Sequence, residues 1–265
     1  MIRIGVFGAN GRMGLALLEA ATIKEQTQLT GAYVRSGSSL IGVNVNQINS
    51  AADKNVCFSD ENTLESVDVL IDFTLPEGMR NHLKHAVEQS LPLVIGTTGL
   101  TTDDMALLEN AAKHIPIVFA RNYSVGVNVL LNLVKTAATK FGDDLDIEIF
   151  EAHHRHKIDA PSGTALAIGE SIADAKGWNH EEVAVYDRSQ VETEKSQNEI
   201  GYSVLRGGDI VGEHTAYFAT MGERLELTHK ASSRMTFALG AVRAAGWLQN
   251  KPPGLYDMQD VLDLK

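Results

Sequence analysis

The sequence predicts an α/β protein: an N-terminal doubly wound parallel sheet followed by a C-terminal α+β domain with an open mixed sheet. Two observations carry that prediction. The first half alternates short β-rich runs with stretches of helical spacing, the pattern of a parallel sheet covered by helices on both faces. The second half opens on a long helical pattern and then sets its strand-like runs between glycine-rich turns. A length of 265 residues suits one large domain or two smaller ones and allows a sizeable core without covalent staples.

In order, strands are predicted at 3–7, 29–34, 67–73, 93–96 and 117–120. Helices fall between them at 14–23, at 76–89 and at 102–114. Pro76 suits a first helical turn. Thr101 or Thr102 caps the third helix, and Asp103 and Asp104 favour its positive end. A long helix follows at 124–140, then a strand at 146–153 with Ile147 and Ile149 on one face and Glu148 and Phe150 on the other. A helix at 163–175 starts behind the Pro161-Ser162-Gly163 turn. Strands at 202–205, 210–220 and 224–230 are joined by predicted hairpins at 207–209 and 221–223, and a helix at 232–248 closes the pattern. The predicted domains are 1–123, for dinucleotide binding, and 124–234, for substrate binding and oligomerisation. A C-terminal helix near 235–265 can pack back onto the first domain. The polar stretch 178–197 reads as a mobile surface segment.

The first strand runs into Gly8-Ala9-Asn10-Gly11-Arg12-Met13-Gly14 and then into a helix. A dinucleotide site needs a tight turn, close approach of backbone to a pyrophosphate, and a helix N-terminus aimed at the phosphates. Glycine serves the first two needs because it has no Cβ. The spacing is GxxGxxG in place of the usual GxGxxG, so the strand before and the helix after carry more weight than the pattern. The second strand of a Rossmann-type sheet commonly ends on an acid that holds the ribose 2′-hydroxyl of NAD. Here it ends on Arg35 followed by Ser36, with no acid in the run, which favours the 2′-phosphate of NADPH over NADH. Gly96-Thr97-Thr98-Gly99 and Ala120-Arg121-Asn122-Tyr123 end two further strands, at the edge where parallel sheets hold ligands.

The densest chemistry lies in Glu151-Ala-His153-His154-Arg155-His156-Lys157-Ile-Asp159-Ala-Pro-Ser162-Gly163-Thr164. Positions 153–157 are all cationic or able to become so, and crowding of like charge tunes such groups toward proton donation near neutral pH. Ser162-Gly163-Thr164 then opens a helix whose backbone N–H groups suit a carboxylate. Together they predict a small, dianionic substrate. Three histidines without a cysteine or an HExxH spacing do not predict a metal site.

Composition narrows the rest. A net charge of −11, from 34 acids and 23 bases, argues against nucleic acid and against an anionic membrane surface as partners. Cys57 is the single cysteine, so no internal disulfide forms. No apolar run reaches the roughly 18 residues of a transmembrane helix, and the N-terminus carries no signal-peptide pattern. A cytoplasmic protein is expected.

These segments together resemble the 4-hydroxy-tetrahydrodipicolinate reductases, also called dihydrodipicolinate reductases. The resemblance is carried by 151–165, 8–14, 96–99, 122–128 and 218–232, in the family's order, and extends along the whole chain. It implies NADPH- or NADH-dependent reduction of (2S,4S)-4-hydroxy-2,3,4,5-tetrahydrodipicolinate to 2,3,4,5-tetrahydrodipicolinate, with loss of water, in lysine biosynthesis through diaminopimelate. In the family's pattern His153 matches the proton donor/acceptor and Lys157 a second proton donor. His154, Gly163 and Thr164 match substrate contacts. Gly8, Ala9, Asn10, Gly11, Arg12, Met13, Gly96, Thr97, Thr98, Ala120, Arg121, Asn122 and Tyr123 match cofactor contacts. Arg35 stands where the family often has an acid followed by an arginine. The resemblance also implies a homotetramer assembled through the C-terminal sheet. Two other readings compete. A sugar or polyol dehydrogenase usually carries Glu-Lys-Pro where this chain has Gly96-Thr97-Thr98-Gly99. A non-catalytic nucleotide sensor keeps the glycine loop but has no need of the cluster at 153–157.

Overall fold

The computed structural model describes residues 1–64, 66–142, 144–189 and 191–265. The chain divides into two compact units, one of residues 1–125 and 234–265 and the other of residues 126–233.

The first unit is a seven-stranded sheet. Its strands are β1 (Ile2–Phe7), β2 (Thr27–Val34), β3 (Phe58–Asp60), β4 (Val69–Asp72), β5 (Leu93–Ile95), β6 (Pro116–Phe119) and β12 (Gly254–Tyr256). Every pairing is parallel, in the order β12-β6-β5-β4-β1-β2-β3. Successive residues of a strand face opposite ways, so each strand feeds two cores. Ile4, Val6, Val69 and Ile71 pack with α1 (Arg12–Ile23) and α7 (Met235–Leu248). Phe7, Leu70, Leu93 and Ile95 pack on the other side with α2 (Pro76–Glu88) and α3 (Thr102–Ala111). The predicted N-cap of α3 is a full capping box between Thr101 and Asp104. The strand order reverses between β1 and β4, and in open α/β sheets the carboxyl edge at such a switch point is where ligands bind.

Two elements of this unit differ from the sequence reading. β3 has only three residues, too few to show a period. The region 235–265 is not one helix: α7 is followed by β12, paired with β6, and by α8 (Met258–Val261).

The second unit holds α4 (Val125–Lys140), β7 (Asp146–His153), α5 (Gly163–Lys176), α6 (His180–Val183), β8 (Ala184–Val185), β9 (Ile200–Arg206), β10 (Gly212–Thr220) and β11 (Glu223–Ala231). Its sheet order is β11-β10-β7-β9-β8. Ile147 and Ile149 are buried with Leu130 and Val134 of α4 and Ile168 and Ile172 of α5. β10 and β11 form the hairpin expected at 221–223, with Gly222 at φ 98°. The hairpin expected at 207–209 is absent. β9 runs parallel to β7 and β10 antiparallel to it, so 207–209 carries the chain across the end of β7 instead. Within the stretch 178–197, α6 and β8 are formed, and among the described residues ion pairs connect the rest to the sheet. Arg188 pairs with Glu148 and Glu199, and Lys195 pairs with Glu148; Gln190 lies outside the described residues.

Candidate active site

In the first unit the ends of β1, β2, β5 and β6 bring four of the singled-out segments to one edge of the sheet. Gly8 turns with φ 61°, and a Cβ there would press on the Thr74 methyl. A Cβ at Gly14 would collide with the Gly8 carbonyl oxygen and the Ala9 backbone. The turn therefore closes only with glycine at both places. Gly11 precedes α1, and no side chain caps that helix start, which leaves the α1 N-terminus to meet an anion. Asn10, Gly11 and Arg12 are exposed and Met13 is half-buried. Ala9 is different: it is fully buried and its N–H donates to the Tyr33 carbonyl at 3.0 Å, so it anchors the turn. Thr97 is buried at the carboxyl end of β5, and its Oγ1 has no hydrogen-bond partner among the described residues. A buried unsatisfied hydroxyl at a ligand edge fits a polar group arriving from a nucleotide. Thr98 and Arg121 are exposed, Asn122 is half-buried, and Ala120 is held by its N–H to the Ile95 carbonyl. Tyr123 is fully buried, its hydroxyl donating to the Ile95 and Val118 carbonyls. It is a support beneath the edge.

One turn links these loops. Asp72 Oδ1 accepts from Thr74 N at 2.7 Å and Thr74 Oγ1 at 2.6 Å, while Oδ2 meets His82 Nδ1 at 2.7 Å. Thr74 backs Gly8, and Phe73 packs over Gly96 and against the Tyr123 ring. Burial alone would lower the His82 pKa, but the Asp72 and Glu61 carboxylates outweigh it and raise it. This group carried no sequence signal, since its members come from three separate elements.

In the second unit, β-sheet register assembles the site. Glu151 and His153 are two apart on β7 and share a face. Arg206 on β9 stands opposite His153, and His214 on β10 stands opposite Glu151. Glu151 is buried at 1% exposure and accepts four hydrogen bonds: His153 Nδ1 at 2.6 Å, Arg206 Nη1 at 2.7 Å, Arg206 Nη2 at 2.8 Å and Ser162 N at 2.9 Å. Burial works to raise its pKa, yet the hydrogen bonds from His153 and Arg206 bring it down to about 2. An ionised carboxylate only accepts, so the hydrogen on Nδ1 belongs to His153 and Nε2 is the nitrogen left to exchange a proton. His153 Nε2 has no hydrogen-bond partner among the described residues, and a Cβ on Gly212 would come within 3.0 Å of it. His214 is buried with its ring 5.1 Å from that of His153, and its Nε2 meets Ser162 Oγ at 2.9 Å. Burial, then the charge of His153, pushes its pKa down to about 3, so it is neutral.

Lys157 is not left to crowding by like charges. Its Nζ reaches both Asp159 oxygens, at 2.8 and 2.7 Å, and the pair stays partly solvated. His154 is half-buried, and Arg155 and His156 are exposed. Ser162 caps α5 by accepting from Ala165 N at 3.1 Å. Gly163 is exposed, with open space where a side chain would stand, and Thr164 beside it is half-buried. Arg206 and His214 join this candidate site without a signal in the sequence reading; only long-range register brings them in. Glu151 had a local signal in its i, i+2 relation to His153. Among the described residues no cluster of three or more histidine, cysteine or carboxylate groups is placed to hold a metal ion, and no helix is long and apolar enough to cross a membrane.

Fold and site together define the class: a two-unit oxidoreductase that uses a pyridine nucleotide. Residues 2–123 match the model of the dihydrodipicolinate reductase N-terminus, and residues 126–262 match that of its C-terminus. The chain belongs to the dihydrodipicolinate reductase family. It is 82% identical over 263 residues to the 4-hydroxy-tetrahydrodipicolinate reductase of Pseudoalteromonas translucida, covering 99% of this chain and 98% of that one. It is 56% identical over 268 residues to the protein of the same name from Pseudomonas fluorescens, covering 100% of each. Among solved structures, a dipicolinate-bound dihydrodipicolinate reductase from Paenisporosarcina sp. TG-14 superposes with a TM-score of 0.73 at 25% identity, over 98% of each chain.

Proposed function

We propose that this chain reduces (2S,4S)-4-hydroxy-2,3,4,5-tetrahydrodipicolinate to 2,3,4,5-tetrahydrodipicolinate, releasing water, in lysine synthesis through diaminopimelate. The observation that carries the reading is the acid-anchored histidine: Glu151 fixes Nδ1 of His153 and leaves Nε2 unengaged. The nicotinamide supplies the hydride. The first unit (1–125 with 234–265) binds the nucleotide: Gly8, Asn10, Gly11, Arg12 and Met13 surround the pyrophosphate subsite, and Ala9 braces it. Thr97 Oγ1, with Gly96, Thr98, Ala120, Arg121 and Asn122, borders the nicotinamide end, and Tyr123 supports it from beneath. Arg35, exposed and without a side-chain partner among the described residues, takes the 2′-phosphate and favours NADPH.

The second unit (126–233) binds the dicarboxylate. His154, Gly163 and Thr164 take its carboxylates, using backbone N–H groups at the α5 start and nearby positive charge. The dipicolinate held by the Paenisporosarcina relative is a dicarboxylate of this kind. Loss of the 4-hydroxyl as water gives a conjugated imine, and hydride addition to it leaves negative charge on ring carbon and nitrogen. Cationic Lys157 stabilises that charge, and His153 Nε2 or Lys157 Nζ delivers the proton that quenches it.

Oligomerisation is proposed through the open face of the second sheet. Phe150, Leu205 and Tyr217 share that face and belong to none of the buried clusters. The assembly proposed is a homotetramer, and the location proposed is the cytoplasm; the open face supports self-association. Lys157→Ala tests the site. Turnover should fall more than about 100-fold while the nucleotide dissociation constant stays within about twofold. Near-normal turnover in that variant removes Lys157 from the mechanism.

A further inference from the structure

Arg35 leaves one question open, because the strand that should carry the ribose acid has none. The register of the sheet answers it. β3 lies parallel to β2 with Val34 opposite Asp60, so Asp60 ends its strand at the same edge. Parallel neighbours sit about 4.8 Å apart, which places Asp60 one strand spacing from the usual position of the acid. Ser36 bridges that spacing: its Oγ donates to Asp60 Oδ1 at 2.9 Å and accepts from Asn62 Nδ2 at 2.6 Å. Asn62 N and Nδ2 also donate to Oδ1, each at 2.9 Å. The three bonds that Asp60 accepts at its carboxylate all fall on Oδ1. Oδ2 accepts none among the described residues, and the side chain is half-buried.

We infer that Asp60 is a specificity-determining residue, the acid that accepts a hydrogen bond from the adenosine ribose when its 2′-hydroxyl is free, so that this chain binds NADH as well as NADPH. The inference rests on the nucleotide reading proposed above. The Asn62 backbone N–H, then Ser36, holds the Asp60 carboxyl below the usual carboxylate range, so it is ionised and acceptor-only at neutral pH. An ionised carboxylate takes a hydroxyl and repels a phosphate dianion. Arg35 does the opposite, and among the described residues no ion pair joins it to Asp60, whose partners are Ser36 and Asn62. The two residues are opposed readers of one position, one on each of two adjacent strand ends.

Asp60 also holds the turn at 60–63, where its carbonyl accepts from Thr63 N and Oγ1. Asp60→Asn separates the two roles. Asparagine keeps an oxygen for Ser36 and the Asn62 N–H but loses the charge and the second acceptor. The measurement is equilibrium binding of NADH and of NADPH, followed by nucleotide fluorescence without substrate, for wild type, Asp60→Asn and Arg35→Ala. Asp60→Asn should weaken NADH about tenfold and leave NADPH unchanged or tighter. Arg35→Ala should weaken NADPH and spare NADH. Equal changes for both nucleotides in Asp60→Asn, or none for either, overturn the role of Asp60 while the nucleotide site stands. Wild-type protein that binds neither nucleotide overturns the site reading, and Asp60 with it.

Discussion

Replacing Glu151 by glutamine should unsettle the second unit and its chemistry together. Glu151 is buried and accepts four hydrogen bonds, two of them from the Arg206 guanidinium. Glutamine offers one oxygen, so its amide would face a donor on the other side, and Arg206 would lose its counter-charge. Breaking a buried pair from one side costs about 3–5 kcal/mol. Arg206 also donates to the Leu205 and Asp159 carbonyls and is 19% exposed, which places the expectation at the lower end. Linkage gives the same size. A pKa held at about 2 instead of 4.5 corresponds to about 3 kcal/mol at neutral pH, at about 1.4 kcal/mol for each pH unit between them. The sign follows from the depressed pKa: this stabilisation is complete above pH 4.5 and is lost as the pH falls toward 2. Trp178 packs against the core of the second unit, so denaturant unfolding followed by its fluorescence in a Trp247→Phe background reports that unit. Glu151→Gln should lose about 3 kcal/mol at pH 7, with the difference from wild type shrinking below pH 4.5. A loss under about 1 kcal/mol, or one that does not change with pH, would refute the electrostatic account.

Other expectations are simpler. Gly14→Ala drives a Cβ into backbone rather than a movable side chain, so it should cost about 1–3 kcal/mol in the thermal or denaturant midpoint of the first unit and weaken both nucleotides alike. Gly212→Ala brings a methyl within 3.0 Å of His153 Nε2; kcat should fall about tenfold with the unfolding midpoint nearly unchanged, and unaltered kcat would mean that face of His153 is not the working one. Lys157→Ala, followed by steady-state rates and nucleotide binding in parallel, should separate proton delivery from cofactor affinity.

Much of the fold was legible because its signals are local. β1, β2, β4, β5 and β6 are apolar runs at regular intervals, and the helices between them are announced by Pro76 and by the Thr101 capping box. The 8–14 turn is readable because glycine is sterically required where the structure has it. What stayed hidden depends on pairing across long separations. β3 and β12 are short and hold their places through β2 and β6. The 207–209 connection resembles a hairpin turn, but β7 takes the space between β9 and β10, a choice no neighbouring residue encodes. The site divides in the same way. His153 and Lys157 lie in a dense motif, whereas Arg206, His214 and Asp60 become meaningful only beside residues 55, 63 and 24 positions away, Glu151 for the first two and Ser36 for the third.

The most direct test of the reductase reading is nucleotide oxidation with the cyclic substrate generated in place from pyruvate and aspartate semialdehyde by the preceding synthase. Absorbance loss from NADPH and from NADH would be followed in parallel. Rapid oxidation that requires the complete substrate mixture, with both nucleotides used, is the predicted result. Nucleotide binding without substrate-dependent oxidation would contradict it and leave the acid-anchored histidine of the second unit without its proposed reaction.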